Sequence, residues 1–307
     1  MNLLGRSLLD IPDLRREEIV FLLTEAIKFK KKHSGTESIL GSHVGKSVAL
    51  LFFEPSTRTR TSFQMAAYRL GLRTLKLDSS SSSSQKGETI YDTARNVEAL
   101  RPDAMVIRHA GSGIPLQISR LLKIPVINAG DGFHAHPTQA LLDAFTIHEE
   151  FSEFKGLHVL IVGDIAHSRV ARSNIHCLRT LGAKVTICGP PTLIPPLARE
   201  FGVEVSHNLD EILPSADVVM ALRMQTERQN SFQIPSLKEY TTRYGITSER
   251  LLKIKDKALI MHPGPVNRGV EMMSSVLRDP RCRVLEQVQN GVTMRAVLLG
   301  HVLGVLK

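Results

Sequence analysis

The chain has 307 residues, 42% hydrophobic and 22% charged, which is room for two ordinary domains and a composition that excludes disordered and fibrous classes. The formal net charge of +9 admits nucleic acid, an acidic partner or polyanionic small substrates, but with 5% aromatic residues, no Trp and scattered basic residues there is no stacking platform or basic stripe, so no nucleic-acid partner is expected. No apolar run approaches the ~18 residues of a membrane span, and Arg6, Asp10 and Asp13 break up any signal-peptide core, so a cytoplasmic chain without a membrane partner is expected, its Cys177, Cys188 and Cys282 being buried thiols with no disulfide or zinc spacing.

Asp13 to Lys32 places Leu14, Ile19, Leu22, Leu23, Ile27 and Phe29 at the spacing of an amphipathic helix, which ends in the basic run Lys28 to His33. Ser47 to Leu70 then predicts strand, turn and helix. Val48 to Phe53 is a continuous apolar run, Pro55 cannot continue a ladder, and Ser56 is a capping residue, so Thr57 to Arg60 form the first turn of a helix that Gly71 ends. Free backbone N–H groups, the helix dipole, three hydroxyls and two guanidinium groups make that turn a candidate anion site. A capped surface helix with solvated arginines is the competing expectation.

A strand is expected near Leu75, a helix over Glu88 to Leu100 and a strand over Ala104 to Ile107, with Arg108 at its carboxyl end. Between them lie six serines, Ser79 to Ser84, then Gln85-Lys86-Gly87-Glu88, which read equally as a flexible linker or as a substrate-covering loop with Lys86 as a mobile cation. A helix around Leu116 to Leu122 leads to a strand over Val126 to Asn128, then Gly130-Asp131-Gly132, and His136-Pro137-Thr138-Gln139 opens a helix through Ile147. Alternating strands and helices predict α/β architecture with a parallel sheet covered on both faces, where ligands gather outside the carboxyl ends of the strands. Arg58, Arg108 and His136 all fall there, although His136 alone reads equally as a helix cap.

A second unit starts near Phe154, with strands over His158 to Val162, Lys184 to Cys188, Asp217 to Ala221 and Ala258 to Met261. Gly163-Asp164 follows the first of these and precedes a helix carrying Arg169, but G-x-G-x-x-G is absent, so dinucleotide binding is only weakly suggested. Arg223 and the loop His262-Pro263-Gly264-Pro265 also follow strands, and the last helix, Glu286 to Leu306, is apolar on one face and free to return to the first domain.

Phe-Phe-Glu-Pro-Ser-Thr-Arg-Thr-Arg at 52 to 60 together with His-Pro-Thr-Gln at 136 to 139 resembles the aspartate/ornithine carbamoyltransferase family, and the resemblance runs over essentially the whole chain. It implies two α/β domains, each a parallel sheet flanked by helices: residues 1–150 for carbamoyl phosphate, joined by the C-terminal helix at about 286–307, and 151–285 for the amino acid. It also implies transfer of the carbamoyl group of carbamoyl phosphate to L-aspartate, giving N-carbamoyl-L-aspartate for pyrimidine biosynthesis, with no cofactor and no metal. Ornithine as acceptor, and a non-enzymatic phosphate- or nucleic-acid-binding protein on this fold, are the alternatives.

By the same resemblance, Ser56, Thr57, Arg58, Thr59, Arg108, His136 and Gln139 match the ligands of carbamoyl phosphate, with Ser82 and Lys86 reaching into the site of a neighbouring subunit in a homotrimer. Whether regulatory or dihydroorotase subunits join that trimer stays open. Lys86, Arg169, Arg223, Gln225 and backbone groups of Pro263 and Gly264 match the aspartate side, and Arg58, Thr59, Lys86, Arg108 and His136 the catalytic set. Glu54 matches a residue that pairs with Arg169 and Arg228 on closure. Two features favour aspartate over ornithine: Arg223 with Gln225 suits a second carboxylate, and His262-Pro263-Gly264-Pro265 stands where ornithine enzymes resemble His-Cys-Leu-Pro. Gly264 itself departs from the leucine of other members, which bears on loop stiffness.

Overall fold

A computed structural model describes residues 3–33, 45–78, 88–225 and 234–306. In chain order the elements are α1 (Arg16–Lys32), β1 (Ser47–Phe52), α2 (Thr57–Arg69), β2 (Arg73–Asp78), α3 (Ile90–Ala99), β3 (Ala104–His109), α4 (Ile114–Leu121), β4 (Val126–Asp131) and α5 (Pro137–Phe151). There follow β5 (His158–Val162), α6 (Arg169–Leu181), β6 (Lys184–Cys188), β7 (Glu204–Ser206), α7 (Leu209–Ile212), β8 (Val218–Ala221), α8 (Leu237–Tyr244), α9 (Ser248–Leu251), β9 (Leu259–Met261) and α10 (Val284–Val302). The expected strands are all present, and β7 is an addition: a three-residue edge strand too short to show a period.

The chain divides into two units, Met1–Leu142 with Val288–Lys307, and Asp143–Gln287, the divisions falling within α5 and within α10. Each unit holds its own all-parallel sheet, in the order β2-β1-β3-β4 and β7-β6-β5-β8-β9. Parallel strands buried on both faces need apolar residues at successive positions rather than alternate ones, as in Val48–Phe52 and Val159–Val162, which are buried throughout. Strand order reverses between β1 and β3 in the first sheet and between β5 and β8 in the second. At such a switch point the connecting helices depart to opposite faces and leave a crevice at the strands' carboxyl ends.

Helix ends follow local chemistry. Gly71, at φ +67°, closes α2: its N–H donates to the Tyr68 carbonyl and the Leu72 N–H to that of Ala67, a Schellman pair that occupies two terminal acceptors. Helix α10 begins at Val284, slightly earlier than its apolar face suggests, and its C-terminal part packs on the first unit. There Lys30 donates to Asn290, His301 lies against Phe21, and the buried Arg295 donates to Ser62 of α2 and Thr138 of α5, its guanidinium over the ring of Phe63.

Candidate active site

In the first unit the loop after β1 leads into α2 with Ser56 as N-cap. The Ser56 carbonyl accepts from Arg60, but its hydroxyl makes no capping bond, so the cap does not close the first turn off from an incoming anion. Thr57 and Arg58 are exposed and Thr59 is buried. One turn on, Ser62 is held from beneath by Arg295 at 2.8 Å, which anchors the turn to α10.

Arg108 lies inside β3 rather than beyond it, because the ladder outlasts the apolar run: the Phe53 N–H donates to the Arg108 carbonyl. Its guanidinium donates to Glu54 Oε1 at 3.0 Å and to the Ala129 carbonyl at 3.3 Å. Thus Glu54, expected to pair with Arg169 and Arg228, has Arg108 as a partner within its own unit, while Arg228, Ser82 and Lys86 lie outside the described residues. The β3–β4 register shifts between Ile107 and His109, with an extra residue in β4 and Gly130 at φ +115°, a bulge that reshapes the sheet edge beside Arg108.

His136, 4% exposed, caps α5, its carbonyl accepting from Gln139 and Ala140. The loop that delivers it is organised by Asp131, a residue the sequence named only as part of a glycine turn. Asp131 Oδ1 accepts from Asn128 Nδ2 at 2.8 Å and the Ala135 N–H at 3.1 Å, while Oδ2 accepts from the Gly113 N–H at 2.6 Å and faces His134 Nδ1 at 3.0 Å. The loops after β3 and β4 are also stitched by Gly132 N–H to the His109 carbonyl and Phe133 N–H to Ser112 Oγ. Gly132, at φ +45°, permits this approach: a Cβ there would lie 2.8 Å from the Ser112 nitrogen. Arg108, His136 and the α2 turn therefore share the carboxyl edge of one sheet, Arg108 at the end of β3 and His136 at the end of the loop after β4, and the loops that follow β3 and β4 are hydrogen-bonded to each other.

The second unit repeats the plan. After β5, Gly163 takes φ +132°, and a Cβ there would lie 3.0 Å from the Tyr240 hydroxyl and 3.1 Å from the Leu222 carbonyl, so this glycine serves close packing rather than a dinucleotide. The buried Asp164 Oδ1 stands 2.8 Å from His167 Nδ1, Ser168 caps α6 through the Ala171 N–H, and Arg169 opens that helix while only 4% exposed. After β8 come the half-buried Arg223, buried Met224 and Gln225, whose Nε2 donates to the His167 carbonyl at 3.1 Å across the switch point. Beyond β9 the buried His262 accepts the Gly264 N–H at Nδ1, 2.8 Å, and donates its own N–H to Gln287 Oε1 at 2.9 Å. Gln287 and Asn174 in turn donate to the two oxygens of the buried Asp143. Gly264 sits at φ +68°, a left-handed conformation that suits glycine better than a leucine. The same histidine turn occurs in the first unit, where His109 Nδ1 accepts the Gly111 N–H at 2.8 Å. Burial, then the charges of Glu271 and Asp164, push the Tyr240 hydroxyl far above the ordinary phenol range, so Tyr240 is a neutral wall residue.

Known proteins share this arrangement. Residues 6–149 match the description "Aspartate/ornithine carbamoyltransferase, carbamoyl-P binding domain", and residues 155–302 match "Aspartate/ornithine carbamoyltransferase, Asp/Orn binding domain". The chain belongs to the aspartate/ornithine carbamoyltransferase family. Within that family it is 52% identical over 294 residues to the aspartate carbamoyltransferase catalytic subunit of Syntrophobacter fumaroxidans, 96% of each chain being covered. It is 51% identical over 299 residues to that of Desulfitobacterium hafniense, covering 97% of this chain and 96% of the relative. Among solved structures of family members, aspartate transcarbamoylase from Trypanosoma cruzi in complex with carbamoyl phosphate and aspartate superposes with TM-score 0.87 at 31% identity over 98% of both chains. Ornithine carbamoyltransferase from Pyrococcus furiosus does so with TM-score 0.85 at 30% identity over 100% of both, so backbone shape does not separate the two acceptors.

Proposed function

We propose that this chain transfers the carbamoyl group of carbamoyl phosphate to the amine of L-aspartate, giving N-carbamoyl-L-aspartate and phosphate. The observation that carries the choice is the identity of about half of all residues to aspartate carbamoyltransferase catalytic subunits over nearly the full chain. Arg223 at the second sheet's switch point agrees with it, since a guanidinium meets a carboxylate through paired hydrogen bonds and would repel the ammonium side chain of ornithine.

In the proposed mechanism the phosphate of carbamoyl phosphate lies on the first turn of α2, taking the N–H groups and hydroxyls of Ser56 to Thr59 and the Arg58 guanidinium. The amine lone pair of aspartate attacks the carbamoyl carbon. The carbonyl oxygen gains negative charge in the tetrahedral intermediate, and Thr59, Arg108 and His136 donate to it. The C–O bond to phosphate then breaks, and the departing phosphate takes the proton from the amine. Positioning and charge stabilisation of this kind together lower a barrier by on the order of 10 kcal/mol. Gln139 orients the carbamoyl group, Arg169 and Arg223 hold the two carboxylates of aspartate, and Gln225 with the backbone of Pro263 and Gly264 completes the aspartate side.

The same proposal makes the enzyme a cytoplasmic homotrimer in which Ser82 and Lys86 of one subunit serve the next. The absence, among the described residues, of a helix able to cross a membrane is consistent with it. The decisive assay supplies carbamoyl phosphate with either aspartate or ornithine: product from aspartate alone is expected, and citrulline instead would overturn the choice of acceptor. For the shared site, inactive Lys86→Ala and Arg108→Ala proteins are dissociated, mixed equally and reassembled. With random cyclic assembly about a quarter of all sites should recover both residues. A mixture that stays inactive after confirmed exchange would remove the shared site.

A further inference from the structure

Beneath the candidate aspartate loops lies a carboxyl group that the mechanism above does not use. Glu271 is 1% exposed and closes the turn that follows the His262 to Asn267 loop. Its Oε1 faces two donors from opposite ends of that loop, His262 Nε2 at 3.3 Å and the backbone N–H of Asn267. The histidine tautomer follows from its other nitrogen. Gly264 aims an N–H at Nδ1, which must therefore present a lone pair, so the neutral ring carries its proton on Nε2, the atom that meets Glu271. From the far end of the loop Asn267 extends Nδ2 to the Met224 carbonyl at 3.2 Å, the residue between Arg223 and Gln225. A single carboxyl oxygen thus ties down both loops: one directly at His262, Pro263 and Gly264, the other through Asn267 at Arg223 to Gln225.

We propose that Glu271 is a positioning residue that sets the affinity for aspartate, acting through His262 and Asn267 without touching substrate. The proposal rests on the functional assignment above. A purely structural glutamate would act differently: its loss would reduce the amount of folded enzyme, and hence the maximal rate per milligram, while leaving each folded site with its normal half-saturation.

The test is steady-state kinetics with aspartate and carbamoyl phosphate varied separately, on Glu271→Met, Glu271→Gln and Asn267→Ala, with the folded fraction measured by circular dichroism. Met removes the acceptor, and the KM for aspartate should rise roughly tenfold or more, the equivalent of one lost hydrogen bond to a buried donor, with the KM for carbamoyl phosphate within about twofold. Gln keeps Oε1 and should restore the aspartate KM to within about threefold of wild type. If Glu271→Met does not fold, Asn267→Ala carries the test: it retains the backbone donor to Glu271, cuts only the link to Met224, and should raise the aspartate KM about fivefold. An unchanged aspartate KM in the folded variants, or equal rises for both substrates, would overturn the proposal. So would a Gln variant as impaired as the Met variant, since the acceptor would then not be what matters. A wild-type enzyme that forms no N-carbamoyl-L-aspartate would instead refute the functional assignment itself.

Discussion

Replacing Asp131 by Asn changes almost no volume, yet it should loosen the edge of the first sheet about as much as a typical core truncation. Each carboxylate oxygen of Asp131 accepts from a backbone N–H, Ala135 on Oδ1 and Gly113 on Oδ2. An amide supplies one acceptor and one donor, so whichever way it is turned its NH2 faces an N–H. Turned toward Ala135 it also meets Asn128 Nδ2, which cannot reverse because Asn128 Oδ1 accepts from Gly130 at 2.8 Å. The less costly orientation therefore keeps Oδ1 and gives up the Gly113 bond and the charge on the His134 side. With hydrogen bonds to charged groups contributing ~1.5–3 kcal/mol each, the loss is about 3 kcal/mol at a site that is 1% exposed. Hydrogen exchange followed by mass spectrometry should show the amides of 110–136 exchanging roughly a hundredfold faster, with little change in the second unit. Turnover should fall as exchange rises, because His136 ends one of the two stitched loops and Arg108 stands at the end of β3, where the other begins. Wild-type protection in the Asn variant would refute the account, since water or relaxation would then be replacing the carboxylate.

Other consequences are as specific. Arg223→Ala should raise the half-saturation for aspartate at least a hundredfold while equilibrium binding of carbamoyl phosphate stays near wild type, about the value of a desolvated bidentate pair; equal loss of both ligands would make Arg223 structural. Arg250 is buried and donates to the carbonyls of Gly245, Thr242 and Arg243 as well as to both oxygens of Asp210, so Arg250→Ala should cost about 3–5 kcal/mol in urea unfolding, and a loss below about 1 kcal/mol would show that water replaces it. The hydrogen bond from Arg250, then that from Lys253, lowers the Asp210 carboxyl from 3.8 to about 2. Its contribution is therefore complete above about pH 5 and is lost progressively as pH falls through the folded value of about 2, so the stability gap between wild type and Asp210→Asn should be constant from pH 5 to 7 and shrink steadily below that; a gap undiminished at pH 2 would contradict the pairing.

Most of the sheet framework was legible because strands covered on both faces require nearly continuous apolar runs, and Val48 to Phe52 and Val159 to Val162 are such runs. Backbone pairing is invisible to that signal. Arg108 belongs to β3 only because its carbonyl receives the Phe53 N–H, and β7 exists only because Glu204 to Ser206 lie beside Thr186 to Cys188. Side-chain chemistry thus located the strands, while hydrogen bonding to neighbours set where they stop.

The candidate ligands were legible for a related reason: Arg108 and Arg223 stand where an apolar run gives way, and Arg58, His136 and Arg169 at the opening of the helix that follows such a run, the places where ligands gather in a parallel sheet. Their supports were not. Asp131, Asp143, Glu271 and Arg295 read in sequence as ordinary surface charges, because an isolated charge is expected in water. What buries them is partners remote in the chain, such as Ser62 for Arg295, or a turn whose geometry appears only after folding, such as Asn267 and His262 for Glu271. A faint signal existed for Arg295, a lone charge in the apolar run from Val292 to Leu299, where an unpaired guanidinium would not be tolerated. For Glu271 there was none. Which loops meet also depends on strand order, since the reversals between β1 and β3 and between β5 and β8 select the loops that can share a crevice. Strand order follows from the pairing of whole strands, so residues that bind can be named from local pattern, whereas residues that hold them in place become identifiable only once the sheet is assembled.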